Sequence, residues 1–157
     1  MNAHIIAIGN ELIEGDILET NSHWLENELV QYGIRVKSVL VISDEVEEIA
    51  RAIRPYIDTN SMLFITGGLG PTADDLTREG LALAFNLELV HSEEAKQTLE
   101  QALSKAGFPV YNIPPKIFQV PQGAKPLLNP AGVAPGLILE QDQLKVYVFP
   151  GVPRELK

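Results

Sequence analysis

The chain has 157 residues, 45% of them hydrophobic, with a net charge of −9 at pH 7 and no cysteine. That length and apolar content suit one domain with a real core and leave too little for two. The missing cysteine excludes disulfide scaffolds, thiolate zinc sites and thiol nucleophiles and favours an intracellular, cytoplasmic setting, while the negative charge argues against a polyanionic partner such as DNA.

Nothing in the sequence reads as a leader, an anchor or a membrane span. A small phosphorylated ligand stays compatible with the charge, because a local nest of amides and a metal can hold it inside an acidic protein.

Residues 4–9 read as a first buried strand, dense in β-branched side chains and closed by Gly9. Residues 10–21 follow as a loop. With Glu11, Glu14, Asp16 and Glu19 it is too acidic and aperiodic for a core element, and it lies past a strand's carboxyl end, where open α/β sheets place ligands. Asn21 or Ser22 caps a helix that runs to about Tyr32, with Trp24, Leu25, Leu29 and Val30 on one side and Gly33 as its stop.

Residues 34–42 form a second strand. Glu45, Glu47 and Glu48 then suit a first helical turn, and that helix buries Val46, Ile49, Ile53 and Ile57 at spacings of three and four. Asp44 is either the N-cap of this helix or, by its place after the second strand, part of a functional rim.

A third strand, residues 62–65, feeds the stretch 66–77, Thr-Gly-Gly-Leu-Gly-Pro-Thr-Ala-Asp-Asp-Leu-Thr. A strand, a glycine-rich turn and a helix start can hold phosphate, since unpaired amides and the positive end of a helix dipole converge there. Asp74 and Asp75 beside such a cradle would repel the phosphate unless a divalent cation or a proton intervened. The alternative is that Asp75 or Thr77 caps the next helix and the glycines merely serve the turn.

From Thr77 the pattern is helical, with Leu81, Leu83, Ala84 and Phe85 apolar and Asn86 as the stop. Ser92, Glu93 and Glu94 open another helix that runs to about Ala106, with Gly107 as its end signal. Pro109, Pro114, Pro115, Pro121, Pro126, Pro130 and Pro135 then exclude a long regular element and predict a structured excursion over the sheet.

Residues 129–136 are either a small-residue loop that a ligand approaches closely or a plain connection. Strands at 137–140 and 144–149, joined by a short turn at 141–143, precede Pro150-Gly151-Val152-Pro153 and a helix beginning that implies a chain continuing past Lys157. The histidines lack ligand spacing: His4 reads as an edge or core residue, His23 and His91 as surface residues at helix starts. The Walker, Gly-x-Gly-x-x-Gly and serine-elbow signatures are missing.

Five separated blocks in order resemble the N-terminal domain of CinA-type competence/damage-inducible proteins. They are Gly9-Asn10-Glu11-Leu12 with Gly15 and Asn21; residues 66–72 with Asp74-Asp75-Leu76-Thr77; Asn129-Pro130; Ala134-Pro135-Gly136; and Pro150-Gly151-Val152-Pro153. The similarity spans essentially the whole chain, residues 1–157, and extends to the molybdopterin-binding domains of MogA, MoaB, gephyrin and MoeA proteins. Val133 departs from it, standing where many CinA-type sequences have threonine.

The resemblance implies a three-layer α/β/α sandwich with a mostly parallel sheet, self-association as a dimer or trimer, and, in longer proteins, a C-terminal amidohydrolase domain. For activity it implies metal-assisted cleavage of ADP-ribose to AMP and ribose 5-phosphate, so the partner expected is a small nucleotide. Two aspartates that matter in MogA-like relatives match Asp44 and Asp75. The arrangement expected has Gly67, Gly68, Gly70 and Thr72 holding the diphosphate, and Asn129, Gly136, Gly151 and Pro153 lining the remainder. Asp75, with Asp74 and Asp44, would hold Mg²⁺, Mn²⁺ or Co²⁺. Glu11 is the candidate base or second metal ligand, or else a solvated loop acid. Two other readings compete: a molybdopterin-binding domain of molybdenum-cofactor biosynthesis, and a non-catalytic ligand-binding or oligomerisation domain.

Overall fold

The computed structural model describes residues 2–105, 113–132 and 134–156. The expected helix end at Ala106 and Gly107, Pro109, and the departure at Val133 lie outside the described residues.

Six strands form the main sheet in the order β2-β1-β3-β8-β7-β6. They are β1 (Asn2–Ile8), β2 (Arg35–Ile42), β3 (Ser61–Thr66), β6 (Lys125–Leu127), β7 (Gly136–Gln141) and β8 (Leu144–Phe149). The first four in that order run parallel; β7 and β6 add antiparallel edges. Pro126 sits in the outermost strand, where its missing N–H costs the ladder least.

The apolar runs read from the sequence are buried on both faces. Ile5 and its register partner Phe64 pack with Leu25 and Leu29 of α2 (Asn21–Gln31), while Ile6 and its partner Ile65 pack with Ile49 and Ile53 of α3 (Val46–Ile53) and Leu81 of α4 (Thr77–Phe85). Helices on both faces of a mostly parallel sheet make the three layers expected. Gly80 lets α3 and α4 approach, since a Cβ there would collide with Ile49.

Several local expectations are corrected. Asp44 does not cap α3: Glu45 holds the N-cap position, with no side-chain cap bond. The helix stops at Ile53 and tightens into a 3₁₀ turn, Arg54–Tyr56, because Pro55 cannot continue it, so Ile57 lies beyond its face. The acidic loop contains a four-residue helix, α1 (Asn10–Ile13), without a buried residue.

A short strand, β4 (Leu89–His91), pairs with β5 (Gln119–Pro121) in a separate two-stranded sheet. His91 therefore ends a strand rather than opening a helix. Ser92 behaves as expected, its Oγ accepting the Ala95 amide at 3.1 Å at the start of α5 (Glu93–Lys105). A last helical turn, α6 (Pro153–Leu156), follows β8. Among the described residues no helix is long and apolar enough to cross a membrane.

The strand order reverses direction beside β1, so the carboxyl ends of β1, β3 and β8 open onto one crevice. Gly67 occupies the narrowest point. Its amide donates to the Phe149 carbonyl at 3.0 Å, its φ is 101°, and a Cβ would strike the Ile8 carbonyl oxygen. Gly67→Ala is expected to lose more than about 1 kcal/mol in urea unfolding, because both the backbone conformation and the space exclude a side chain.

Candidate functional site

The crevice is a cavity of about 550 Å³, and its lining draws on the loops after β1, β2, β3 and β8. The glycine loop forms one wall, and its geometry follows from one carboxylate. Asp75 Oδ1 accepts the Gly70 amide at 2.9 Å, while Oδ2 accepts the Thr72 amide at 2.9 Å and the Thr72 hydroxyl at 2.5 Å. At the loop's other end the Thr77 hydroxyl donates to the Gly67 carbonyl at 2.8 Å and the Thr77 amide to the Gly68 carbonyl at 3.2 Å. Thr77 thus ties the turn rather than capping α4, whose N-cap position is Leu76.

The loop's carbonyls are held from beneath by two cations that the sequence reading did not single out. Arg78, only 1% exposed, donates from Nη2 to the Leu69 carbonyl at 2.8 Å and from Nη1 to the Gly70 carbonyl at 3.4 Å. Burial lowers its pKa, against the opposing pull of Glu79 and Asp75. Lys116 reaches the Thr72 carbonyl at 3.0 Å and pairs with Glu79 at 3.3 Å. One signal for Arg78 was available: it sits three and four residues before Leu81 and Ala82, on the buried side of the helix.

These bonds decide which loop groups remain for a ligand. Gly67, Gly70 and Thr72 have their amides engaged within the protein, and Thr72 is absent from the cavity lining. Among the described residues, the amides of Gly68 and Leu69 have no acceptor, and both residues line the cavity.

Asp44 joins the loops after β1 and β2. Its Oδ2 accepts the Asn10 amide at 2.9 Å, and its own amide donates to Asn10 Oδ1 at 3.2 Å. Burial raises its pKa above the ordinary value. The Asn10 bond opposes that shift, and Glu11, Asp75 and Asp74 add to it.

Glu11, Asp44, Asp74, Asp75, Gly151 and Pro153 all lie in the lining, joined by Glu19 of the acidic loop and by Glu155. Glu19 accepts the Ser22 amide at the start of α2, at 2.9 Å. Asn129 and Gly136 lie elsewhere. Asn129 donates to the Ala134 carbonyl and to Glu155, both at 2.8 Å, and Gly136 begins β7, where a Cβ would press on the Val148 carbonyl. Asn129 therefore reaches the cavity through Ala134 and Glu155, both of which line it.

The lining contains six carboxylates and no lysine or arginine. Among the described residues, however, no group of three or more Asp, Glu, His or Cys is disposed to hold a metal ion. Both Asp75 oxygens are occupied by loop donors. The donor set does not fit a resident cation held by protein groups alone.

A mostly parallel sheet flanked by helices, with a crevice at its switch point where two loop amides stay unengaged, is the architecture of an α/β domain with a candidate ligand site. The chain belongs to the family described as "Probable molybdopterin binding domain", whose model matches residues 4–157. It is 42% identical to a CinA-like protein of Thermotoga neapolitana over 98% of this chain, and 34% identical to a CinA structure of unknown function from Thermoplasma acidophilum, with a TM-score of 0.86 and 99% and 90% of the two chains covered. A molybdopterin-biosynthesis MoaB from Thermus thermophilus shares the fold at 16% identity, with a TM-score of 0.62 and 99% and 86% of the two chains covered.

The chain spans 38% of the Thermotoga relative and 58% of a Pyrobaculum arsenaticum one. It is a CinA-type domain, with the fold that the MogA and MoaB structures share.

The expected ADP-ribose pyrophosphatase is corrected by these findings. The matching family is a molybdopterin-binding one, and the fold neighbours carry MoaB and MogA names rather than that of a hydrolase of ADP-ribose.

Two outcomes check the site. Asp75→Ala strips three donors of their acceptor; it should destabilise the fold by about 1–3 kcal/mol and speed amide hydrogen exchange at Gly70 and Thr72 first. For Asp44, a raised native pKa means no cost below its ordinary value near 3.8, where the group is neutral folded and unfolded, and a full cost once the native group ionises. Asp44→Asn keeps the acceptor for Asn10, so its melting temperature should match wild type in acid and exceed it at pH 7.

Proposed function

We propose that the cavity binds a phosphorylated pterin of the molybdopterin kind, so that this chain works as a pterin-binding module rather than as a nucleotide hydrolase. The observation that carries the reading is the division of the cavity into two chemistries. The open amides of Gly68 and Leu69 can donate to phosphate oxygens, while Glu155 presents a carboxylate on the α6 side with only its Oε2 bonded, to Asn129, among the described residues, and Glu19, whose oxygens share the Ser22 amide, adds negative charge on the α2 side. A pterin has a phosphate-bearing tail and, on its pyrimidinone ring, an amino group beside a ring N–H. That pair matches the two oxygens of one carboxylate.

Apolar contact for the ring would come from Leu12, Ile17, Leu18 and Val152, of which Ile17, Leu18 and Val152 are well exposed around the opening. The acidic lining favours a ligand with one phosphate group over one with two, since every added negative charge meets Asp44, Asp74 and Asp75. A divalent cation, where one takes part, would arrive with the ligand and be shared between its phosphate and a carboxylate of the lining.

Isothermal titration with a 6-alkylpterin phosphate tests this. Binding is expected, with inorganic phosphate at least about tenfold weaker and Glu155→Gln weakening the pterin by about tenfold. Binding should tighten as the pH falls through the titration of Asp44, because the protonated acid no longer repels the phosphate, and Asp44→Asn should flatten that dependence. No heat with the pterin, from a protein shown to be folded, overturns the reading.

A further inference from the structure

We propose that Thr77, fully buried and absent from the cavity lining, is the positioning residue that aims and strengthens the two loop amides left open for a ligand. The inference rests on the phosphate half of the proposed site and is independent of the ring.

The peptide bonds of the loop are trans, so each unit points its carbonyl and its amide in opposite directions. The Gly67 carbonyl shares one plane with the Gly68 amide, and the Gly68 carbonyl shares the next with the Leu69 amide. Those are the two amides without an acceptor among the described residues. They also belong to the two planes whose carbonyls end on Thr77: its hydroxyl donates to the Gly67 oxygen at 2.8 Å and its amide to the Gly68 oxygen at 3.2 Å. With both carbonyls drawn to one buried residue, both amides point away from it, on the side where Gly68 and Leu69 line the cavity. Successive amides turned to one side need unusual backbone angles, and φ is 101° at Gly67 and 65° at Gly68. A Cβ on Gly68 would collide with the Thr77 hydroxyl oxygen, so the glycine also makes room for the anchor.

A donor on a carbonyl oxygen withdraws charge along the conjugated unit and makes the N–H at its far end a better donor. The other anchor of the loop does not act on the open amides in this way. Arg78 holds the Leu69 carbonyl, whose plane carries the Gly70 amide already taken by Asp75, and the Gly70 carbonyl, whose plane leads to Pro71 and has no N–H. In a lining with six carboxylates and no lysine or arginine, attraction for a phosphate depends heavily on the Gly68 and Leu69 amides, and therefore on Thr77.

Amide NMR on wild type, Thr77→Val, Thr77→Cys and Thr77→Ser, titrated with inorganic phosphate, tests the proposal. Phosphate should move the Gly68 and Leu69 amide protons of wild type downfield and those of Gly70 and Thr72 least. Thr77→Val keeps the amide and loses the hydroxyl. In the free protein it should move the Gly68 proton upfield and leave Leu69 near its wild-type position, and it should weaken phosphate by at least about fivefold. A merely structural role would disturb both amides together. Thr77→Ser should restore both readouts, and Thr77→Cys, a weaker donor, should fall between and report even if Thr77→Val fails to fold. If phosphate leaves the Gly68 and Leu69 amides of wild type unmoved, or if the valine and cysteine variants bind it as tightly as wild type, the assignment is overturned. The ring is read separately: a pterin phosphate that binds no better than inorganic phosphate defeats the pterin reading and leaves this one standing, whereas tight pterin binding indifferent to Thr77 does the reverse.

Discussion

Gly67 is the residue on which the rim of this molecule closes. Its amide is bound by the end of β8, and its α-carbon lies against the end of β1, with the Ile8 carbonyl filling the volume a side chain would need. Three strands from distant parts of the chain can therefore end within one residue's width of each other, and the loops that leave them converge. Gly151, after β8, repeats the relation from the other side: a Cβ there would come within 3.2 Å of the Gly67 α-carbon. Two glycines facing each other at the ends of β3 and β8 allow these loops to meet beside the switch point and share one cavity.

Once the turn is made, the loop's own polar groups determine what it can offer. A carboxylate that accepts two amides and a hydroxyl is worth several kcal/mol in gross interaction, since hydrogen bonds to charged groups contribute about 1.5–3 kcal/mol each. Asp75 spends that capacity inside the loop. Arg78 and Lys116 neutralise the carbonyls on the opposite side, so the backbone is held from both directions and needs no ligand to order it. Pre-ordering of this kind removes the entropy that a flexible cradle would lose on binding. One of the two adjacent aspartates is thereby already engaged with the backbone.

The architecture was legible because parallel strands buried on two faces leave unbroken apolar runs, as at residues 4–8 and 62–65, and because Asn86 and Ser92 mark helix ends by local chemistry. The crevice was legible for the same reason, since glycines after strands have few other purposes. What failed to show were roles fixed by long-range partners. Asp44 looks like an N-cap in sequence, and only the proximity of Asn10, thirty-four residues away, turns it into a clasp between two loops. Asn129 sits in a small-residue loop that reads as a ligand wall, yet its side chain is consumed by Ala134 and Glu155. Glu155 reads in sequence only as an acid in a helix's first turn, and nothing local marks it as part of the lining. The three-residue β4 is too short to show a period, and its partner β5 lies thirty residues on, beyond a helix.

The two walls of the cavity differ in how they are held, and that difference bears on how a ligand would be taken up. The wall formed by residues 66–75 is fixed by the bonds of Asp75 and Thr77 and by buried Arg78. The facing lip, α1 and the residues up to Thr20, buries nothing in α1 and leaves Leu18 82% exposed; it is tied down chiefly by the Asn10–Asp44 clasp and by amides returning to the Glu11 carbonyl. A planar ring placed between them would cover Ile17 and Leu18, a gain of about 25 cal/mol for each Å² withdrawn from water. It would do so without disturbing the loop that receives its phosphate. Rigidity on the polar side fixes the geometry of the charged contact, and a lip with few tethers, bearing exposed Ile17 and Leu18, can settle onto whatever ring follows. Selectivity among phosphorylated ligands should then reside in the ring and its hydrogen-bonding edge, where Glu19 and Glu155 lie, rather than in the phosphate.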